Sequence, residues 1–214
     1  MNCLICEAKT DGFIDEQFNV QFQACSECQV IFRAEAHLLS PKLEKARYDL
    51  HTNTLEDRSY VAYLSGFLKR AAIPIAIKGA RGLDYGCGPA PVLSRILERD
   101  YGYKMDVYDP FYSPEPVFAG KKYDLITCTE VAEHVKKPLE LFKILSEHLA
   151  FDGVLALMTT FHRNDREHFL NWFYSRDPTH IVFYTSNTMQ KLADRSGLRI
   201  IHCDNVNSIT FAPA

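Results

Sequence analysis

No stretch of this chain approaches the roughly 20 consecutive apolar residues of a membrane-spanning helix, so no span is expected. The first residues, Met1-Asn2-Cys3-Leu4-Ile5-Cys6-Glu7, lack the basic flank and apolar run of a secretory leader, and a cytoplasmic protein is expected. Charge of one sign is also missing. With 24 Lys and Arg against 27 Asp and Glu, the net charge of -3 gives no electrostatic footprint for nucleic acid or an anionic membrane. Lys121, Lys122, Lys136 and Lys137 form the one local basic cluster. No internal repeat or low-complexity linker occurs. Over 214 residues, 47% of them hydrophobic, this composition predicts one full globular domain with room for a small appendage.

Cysteine, by contrast, is plentiful: four of the seven form the pattern C-x2-C-x18-C-x2-C, namely Cys3, Cys6, Cys25 and Cys28. Each pair makes a knuckle that turns two thiolates toward one ion, and two knuckles brought together by a hairpin give a closed tetrahedral site. Phe13, Ile14, Phe18, Val20 and Phe22 supply partial alternation for two short strands, with Asp11-Gly12 and Asp15-Glu16 as turn material. Some thirty residues bury too little apolar surface to fold alone, so structural zinc is expected to supply the difference. Iron in a rubredoxin-like site uses the same ligands and stays open. Disulfides are disfavoured by the compartment and the odd count, and a redox dithiol by the lack of a thioredoxin-type pattern. Cys87, Cys128 and Cys203 read as buried small residues.

Two helices are expected next. Pro41 to Tyr48 follows Ser40 as a cap, and Leu55 to Ala71 carries the stripe Tyr60, Tyr63, Leu64, Phe67, Leu68 and Ala71 before Pro74 ends it. The polar, aromatic Tyr48-Asp49-Leu50-His51-Thr52-Asn53 between them suits a lid or a solvated linker.

The chain then turns through Arg81-Gly-Leu-Asp-Tyr-Gly-Cys-Gly-Pro-Ala90. Ile73, Ile75, Ala76, Ile77 and Leu83 supply apolar chain ahead of it, and Val92, Leu93, Ile96 and Leu97 recur at helical spacing behind it. This is strand, glycine turn and helix, with the helix amides free to meet a ligand. A dinucleotide fingerprint needs a third glycine at position 91, which is Pro91. Tyr103 to Tyr108 reads as the next strand and ends at Asp109, where a carboxylate grips ribose hydroxyls in nucleotide folds. Phe111 or Tyr112 just beyond is placed to cover an adenine face. Ser113 to Lys122 is rich in proline and glycine, so the next strand and helix are abbreviated.

Leu83 to Ala90, together with Glu130-Val131-Ala132-Glu133-His134 at the end of the apolar strand Tyr123 to Glu130, resembles the first and fourth motifs of the class I S-adenosylmethionine-dependent methyltransferases. Ala90 stands where that family usually has a third glycine. Asp177-Pro178-Thr179-His180 ahead of an aromatic pair is similar to the ubiquinone-type O-methyltransferases. The resemblance implies a doubly wound, mostly parallel sheet with an antiparallel C-terminal hairpin. It also implies a cofactor site formed by Asp84, Gly86, Cys87, Gly88, Asp109, Pro110, Phe111, Thr129, Glu130 and Val131.

A helix from Pro138 with Leu139, Phe142, Leu145 and Leu149 buried, a turn at Asp152-Gly153, a strand Val154 to Met158, a helix Thr188 to Ser196 and strands Leu198 to Cys203 and Asn207 to Phe211 complete the pattern. The expected division is a zinc module at 1–40, a helical lid or linker at 41–78 and the cofactor domain at 79–214. A hydroxyl acceptor requires a base. Of His134, His162, His168 and His180, all expected on the substrate side, His180 and His134 are the leading candidates for base and for positioning. Trp172, Phe173, Tyr174 and Tyr184 wall an apolar acceptor or pack the core. The expected reaction is methyl transfer from S-adenosylmethionine to a small molecule. A zinc module that steers methylation onto a protein or RNA partner, or a non-catalytic cofactor-binding protein, is the alternative.

Overall fold

The computed structural model describes residues 1–50, 53–77 and 80–214. His51 and Thr52 of the expected lid, and Lys78 and Gly79 at the expected domain boundary, lie outside the described residues.

β1 (Asp11–Asp15) and β2 (Val20–Ala24) form a hairpin with Phe13 opposite Phe22. Asp15 Oδ1 accepts the amides of Gln17 and Phe18 at 3.0 and 3.3 Å, and Asn19 takes a φ of 52°, so the reversal lies there. Asp11-Gly12 is therefore not a turn: Gly12 pairs with Gln23 inside the ladder. β3 (Ile31–Arg33) adds antiparallel to β2.

α1 (Pro41–Tyr48) forms as expected. α2 (Arg58–Phe67) starts later than its apolar stripe suggested, because the Asp57 carboxylate accepts the amides of Ser59 and Tyr60 and fixes the cap. The helix continues through one wide turn, Leu68–Ala72, in which the Ile73 amide reaches back to the Leu68 carbonyl at 2.9 Å. Thr210 donates its hydroxyl to the Ala71 carbonyl at 2.5 Å. Ile73, Ile75, Ala76 and Ile77 do not approach the sheet as a strand. Ile73 closes the wide turn and Ile75 donates to Ala72, while the side chains of Ile75 and Ile77 are exposed.

Chain extension resumes at β4 (Arg81–Tyr85), followed by α3 (Val92–Tyr101) and β5 (Lys104–Tyr108). Tyr103 stays outside the strand because pairing begins at Arg81 opposite Lys104. After turns only, β6 (Tyr123–Thr129), α4 (Pro138–Glu147) and β7 (Leu149–Met158) follow. Leu149 therefore opens a strand rather than closing the helix stripe, and Leu141 takes its place in the core. Asp152-Gly153 lies inside β7, where the register with β6 shifts. A Cβ on Gly153 would sit 2.5 Å from the Tyr123 carbonyl, so glycine permits the close approach.

The chain ends with α5 (Arg166–Asn171), β8 (Val182–Phe183), α6 (Ser186–Ser196), β9 (Leu198–Cys203) and β10 (Ser208–Pro213). The six-stranded sheet runs β5-β4-β6-β7-β10-β9, parallel from β5 to β7, with β10 antiparallel to both its neighbours. Leu125, Val154, Ala156 and Met158 meet α2 and α3 on one face; Ile126, Cys128, Leu155 and Leu157 meet α4 and α6 on the other. This is a doubly wound sheet, and its order reverses at β4, which puts a crevice at the carboxyl ends of β4, β5 and β6.

β8 belongs to the other sheet, β1-β2-β3-β8, with Ile31 opposite Phe183. Arg33, only 7% exposed, reaches beyond that strand pair and donates to the carbonyls of His180, Ser175 and Asp177 at 3.2, 3.1 and 3.1 Å. The amino-terminal sheet thus holds the loop before β8 in place. Replacing Arg33 with Met leaves three carbonyls without their donor and is expected to cost about 3 kcal/mol in a urea titration. A loss within 0.5 kcal/mol would show that the loop does not depend on this guanidinium.

Candidate functional site

A cavity of about 470 Å³ occupies the crevice, a volume typical of small-molecule sites. Its floor is the glycine turn. Gly86 and Gly88 have φ of 82° and 67°, and the amides of Gly86 and Cys87 both donate to the Tyr108 carbonyl, at 2.7 and 3.1 Å. A Cβ on Gly86 would lie 2.2 Å from Val131 Cγ2, so this glycine lets β4 and the loop after β6 close together. Around Gly88 nothing lies within 4 Å of such a Cβ, so a ligand meets bare backbone there. The amino end of α3 carries no side-chain cap.

Asp109 Oδ2 accepts the Gly88 amide at 3.0 Å, and Oδ1 accepts those of Phe111 and Tyr112 at 2.8 and 3.1 Å. One carboxylate thereby fixes both the glycine turn and the loop after β5, while still lining the cavity. Asp84 is buried beneath the turn, with Oδ1 2.9 Å from the Thr127 hydroxyl. Burial pushes its carboxyl up to about 6, a rise that the Thr127 hydrogen bond partly offsets. Cys87 is half-buried on the cavity wall rather than in the core, and burial raises its thiol to about 12. Cys203 is likewise only half-buried, on β9, whereas Cys128 is fully enclosed as expected.

The opposite wall is more acidic than the sequence suggested. Glu130, in a left-handed conformation with φ 53°, accepts from the Tyr63 hydroxyl at 3.0 Å. The Tyr174 hydroxyl lies 2.5 Å from Glu133 Oε1 and 3.2 Å from Glu130 Oε2. Burial, then the neighbouring Glu133, raises Glu130 to about 8, and burial raises Glu133 too. His134 Nδ1 is 2.9 Å from the Thr179 carbonyl and His180 Nδ1 is 2.7 Å from that of Tyr174. A carbonyl only accepts, so each Nδ1 carries the hydrogen and each Nε2 keeps a free lone pair. Burial lowers the pKa of both rings, His180 to about 4, with His134 adding to its shift.

Asp84, Gly86, Cys87, Gly88, Asp109, Pro110, Phe111, Thr129, Glu130, Val131, His134 and His180 all line this one cavity. His162 and His168 do not. His162 is buried with Nε2 on the Gln29 carbonyl at 2.9 Å, and His168 packs near Trp172. Nor do Trp172, Phe173, Tyr174 and Tyr184 wall the cavity. Trp172 and Tyr174 pack in an aromatic cluster with Phe183, Tyr184 is enclosed with its hydroxyl on the Ala132 carbonyl, and Phe173 is 74% exposed. The aromatic wall comes instead from Tyr48, Tyr60 and Tyr63 on α1 and α2. Two of these belong to the α2 stripe read as core; a tyrosine's polar tip at the wet end of such a stripe was the available signal. Lys121 and Lys137 of the basic cluster are paired with Asp106 and Glu140.

Cys3, Cys6, Cys25 and Cys28 converge, with their four sulfurs within 4.8 Å of one another. Both knuckles have the same backbone: the amides of Glu7 and Gln29 return to the carbonyls of Cys3 and Cys25, and Glu7 and Gln29 take φ of 67° and 65°. The closest sulfur pairs, Cys3 to Cys28 and Cys6 to Cys25, are 3.4 and 3.5 Å apart. Tetrahedral zinc–sulfur bonds of about 2.3 Å require about 3.8 Å between sulfurs, whereas a disulfide requires about 2 Å.

The sheet order, the crevice at the switch point and the two positive-φ glycines define the class I methyltransferase fold. The chain belongs to the methyltransferase-domain family, whose sequence profile matches residues 55–203. Among solved structures it is similar to a methyltransferase of calicheamicin biosynthesis with S-adenosylhomocysteine bound, at 13% identity and a TM-score of 0.55 over 73% of this chain and 54% of the other. It is similar also to the mitomycin 7-O-methyltransferase, at 13% identity and a TM-score of 0.56 over 73% and 55%. A third is an O-methyltransferase of neocarzinostatin biosynthesis in complex with S-adenosylmethionine and 2-hydroxy-5-methyl naphthoic acid, at 13% identity and a TM-score of 0.50 over 78% and 60%. The chain spans little more than half the length of these structures. No curated protein matches it in sequence. Among the described residues no helix is long and apolar enough to cross a membrane.

Asp84 yields a signed pH dependence. Because its carboxyl titrates near 6 in the folded chain and near 3.8 otherwise, the folded state holds the proton longer. Its contribution is complete below about 3.8 and is lost as pH rises through about 6. Unfolding free energies measured from pH 3.5 to 7 are expected to fall on the order of 3 kcal/mol further for the wild type than for Asp84→Asn. Parallel curves would remove the assigned shift.

Proposed function

We propose that the protein transfers a methyl group from S-adenosylmethionine to a hydroxyl of a small molecule. The observation that carries this reading is the charge of the cavity. Glu44, Asp84, Asp109, Glu130 and Asp177 line it, and no lysine or arginine does among the described residues. Such a wall repels phosphate and suits a ligand with a sulfonium and an ammonium group. The uncapped amino end of α3 suits the one carboxylate that ligand carries, and the bare Gly88 turn leaves it room to approach. Asp109 Oδ2 has one lone pair left for a ribose hydroxyl, and Phe111 and Tyr112 flank it for the adenine. When bound, S-adenosylmethionine supplies a methyl on positive sulfur; the acceptor oxygen bonds to that carbon as the carbon–sulfur bond breaks, its electron pair remaining on sulfur.

His180 and His134 face the acceptor end, and the Nε2 lone pairs orient its hydroxyl and receive its proton. Tyr48, Tyr60 and Tyr63 close over it from 41–78, which acts as a lid on the domain at 79–214, and so exclude water. The loop Asp177-Pro178-Thr179-His180 supports reading the core as similar to the ubiquinone-type O-methyltransferases. O-Methyltransferases among the structural neighbours support a hydroxyl acceptor.

We assign residues 1–40 to a zinc module whose ion replaces the core that so short a segment lacks. Four thiolates leave the ion no open position, so its role is structural. Free thiols suit the reducing cytoplasm.

Calorimetry is expected to show S-adenosylmethionine and S-adenosylhomocysteine binding at micromolar concentration, with no binding of NAD. Asp109→Ala should weaken both at least tenfold. The absence of binding at millimolar ligand would remove the enzyme reading. For the module, metal analysis should find close to one zinc per chain, and a strong chelator should lower the melting temperature. A metal-free preparation with an unchanged melting temperature would dismiss structural zinc.

A further inference from the structure

Glu133 takes no part in the scheme above, yet it is the most completely buried acid of the site, at 0% exposure. Its Oε1 accepts from Tyr174, its Oε2 has no hydrogen-bond partner, and no lysine or arginine pairs with it among the described residues. An unpaired buried carboxylate of this kind is costly unless a cation or a proton meets it. Two neutral imidazoles stand beside it. One donor atom from each of Glu133, His134 and His180 lies within 4.8 Å of the others, and His134 Nε2 is 4.0 Å from Glu133 Oε1.

We propose that Glu133, His134 and His180 bind a divalent transition-metal ion at the acceptor end of the cavity. The rings are already prepared as ligands. Each holds its Nδ1 hydrogen on a backbone carbonyl, that of Thr179 or of Tyr174, which fixes the tautomer and turns the Nε2 lone pair free. Such an outer hydrogen bond is what orients a metal-bound histidine. With bonds of about 2.1 Å, adjacent donors on an ion are about 3 Å apart and opposite ones about 4 Å, so the three donors, within 4.8 Å of one another, draw together by up to about 2 Å around the ion. Two imidazoles and one carboxylate suit manganese, iron, cobalt or zinc, and three ligands leave coordination positions open toward the cavity.

The ion has a use that rests on the methyltransferase reading, although its binding does not. A cation in contact with the acceptor hydroxyl increases its acidity, so with the ion bound the Nε2 lone pairs of His134 and His180 serve as ligands in place of receiving the proton. The open positions favour an acceptor with a second oxygen beside the hydroxyl, able to chelate.

The test uses the full chain with its cysteine site loaded with zinc and Mn²⁺ as the probe, because manganese has little affinity for thiolates. Calorimetry and manganese electron paramagnetic resonance are expected to show one Mn²⁺ per chain. His180→Ala and Glu133→Gln should each weaken binding at least tenfold, while the affinity of His180→Ala for S-adenosylhomocysteine stays within threefold, which reports an intact fold. If His180→Ala does not fold, His180→Gln carries the same expectation. No Mn²⁺ binding by the wild type at 1 mM, or equal binding by a folded His180 variant, overturns the site. Mn²⁺ binding without S-adenosylhomocysteine binding would instead leave the ion site standing and remove the methyltransferase reading.

Discussion

The Arg33 guanidinium holds the site's architecture together. It sits on β3, the strand beside β8 in the amino-terminal sheet, and grips three carbonyls in the loop carrying Asp177, Thr179 and His180. Burial alone would penalise this charge and lowers its pKa, but Asp177 and Asp15 oppose that shift. The same loop is anchored on its other side by the Ile181 amide on the Glu133 carbonyl, at 2.7 Å. His180 therefore owes its position to two distant parts of the chain at once. The cysteine knuckles belong to this scaffold. The Thr188 hydroxyl donates to the Cys28 carbonyl, and Arg195 donates to the Ile5 carbonyl and to Glu7. The module is thus a buttress for the cavity wall that carries His180, with its inner face spent on the core.

On the reading proposed above, electrostatics gives the cavity its selectivity. In this fold the glycine turn and the helix end are neutral instruments that accept any anionic or zwitterionic tail. Surrounding them with carboxylates, several raised by burial, makes a cationic ligand the one that restores ionisation. Each tyrosine hydroxyl that reaches the acid pair holds it in place without neutralising it.

The part of the cavity built on the glycine turn was legible because it is local. Gly86, Gly88 and Asp109 fall on consecutive elements, and the need for positive φ or a strand-end carboxylate is written into residue type. Element identities were legible for the same reason, down to α1 and the hairpin at the end. What escaped was set by packing across long separations. Tyr60 and Tyr63 share a periodicity with true core residues, and only the position of α2 over the crevice separates them. Tyr174 and Tyr184 have the composition of a binding wall, yet they are enclosed because β8 joins the amino-terminal sheet. Asp152-Gly153 has the look of a turn, and becomes a bulge because Tyr123 passes so close. Glu133 gave no local sign of being the buried acid.

The two-residue β8 also bears on how the chain is made. The cysteine knuckles are synthesised well before β8, and their sheet lacks its last strand, and Cys28 its partner Thr188, until another 160 residues have been added. Contacts of such separation close slowly. That sheet is therefore completed long after its first strands are made, and until then the knuckles lack the contacts that β8 and α6 make with them.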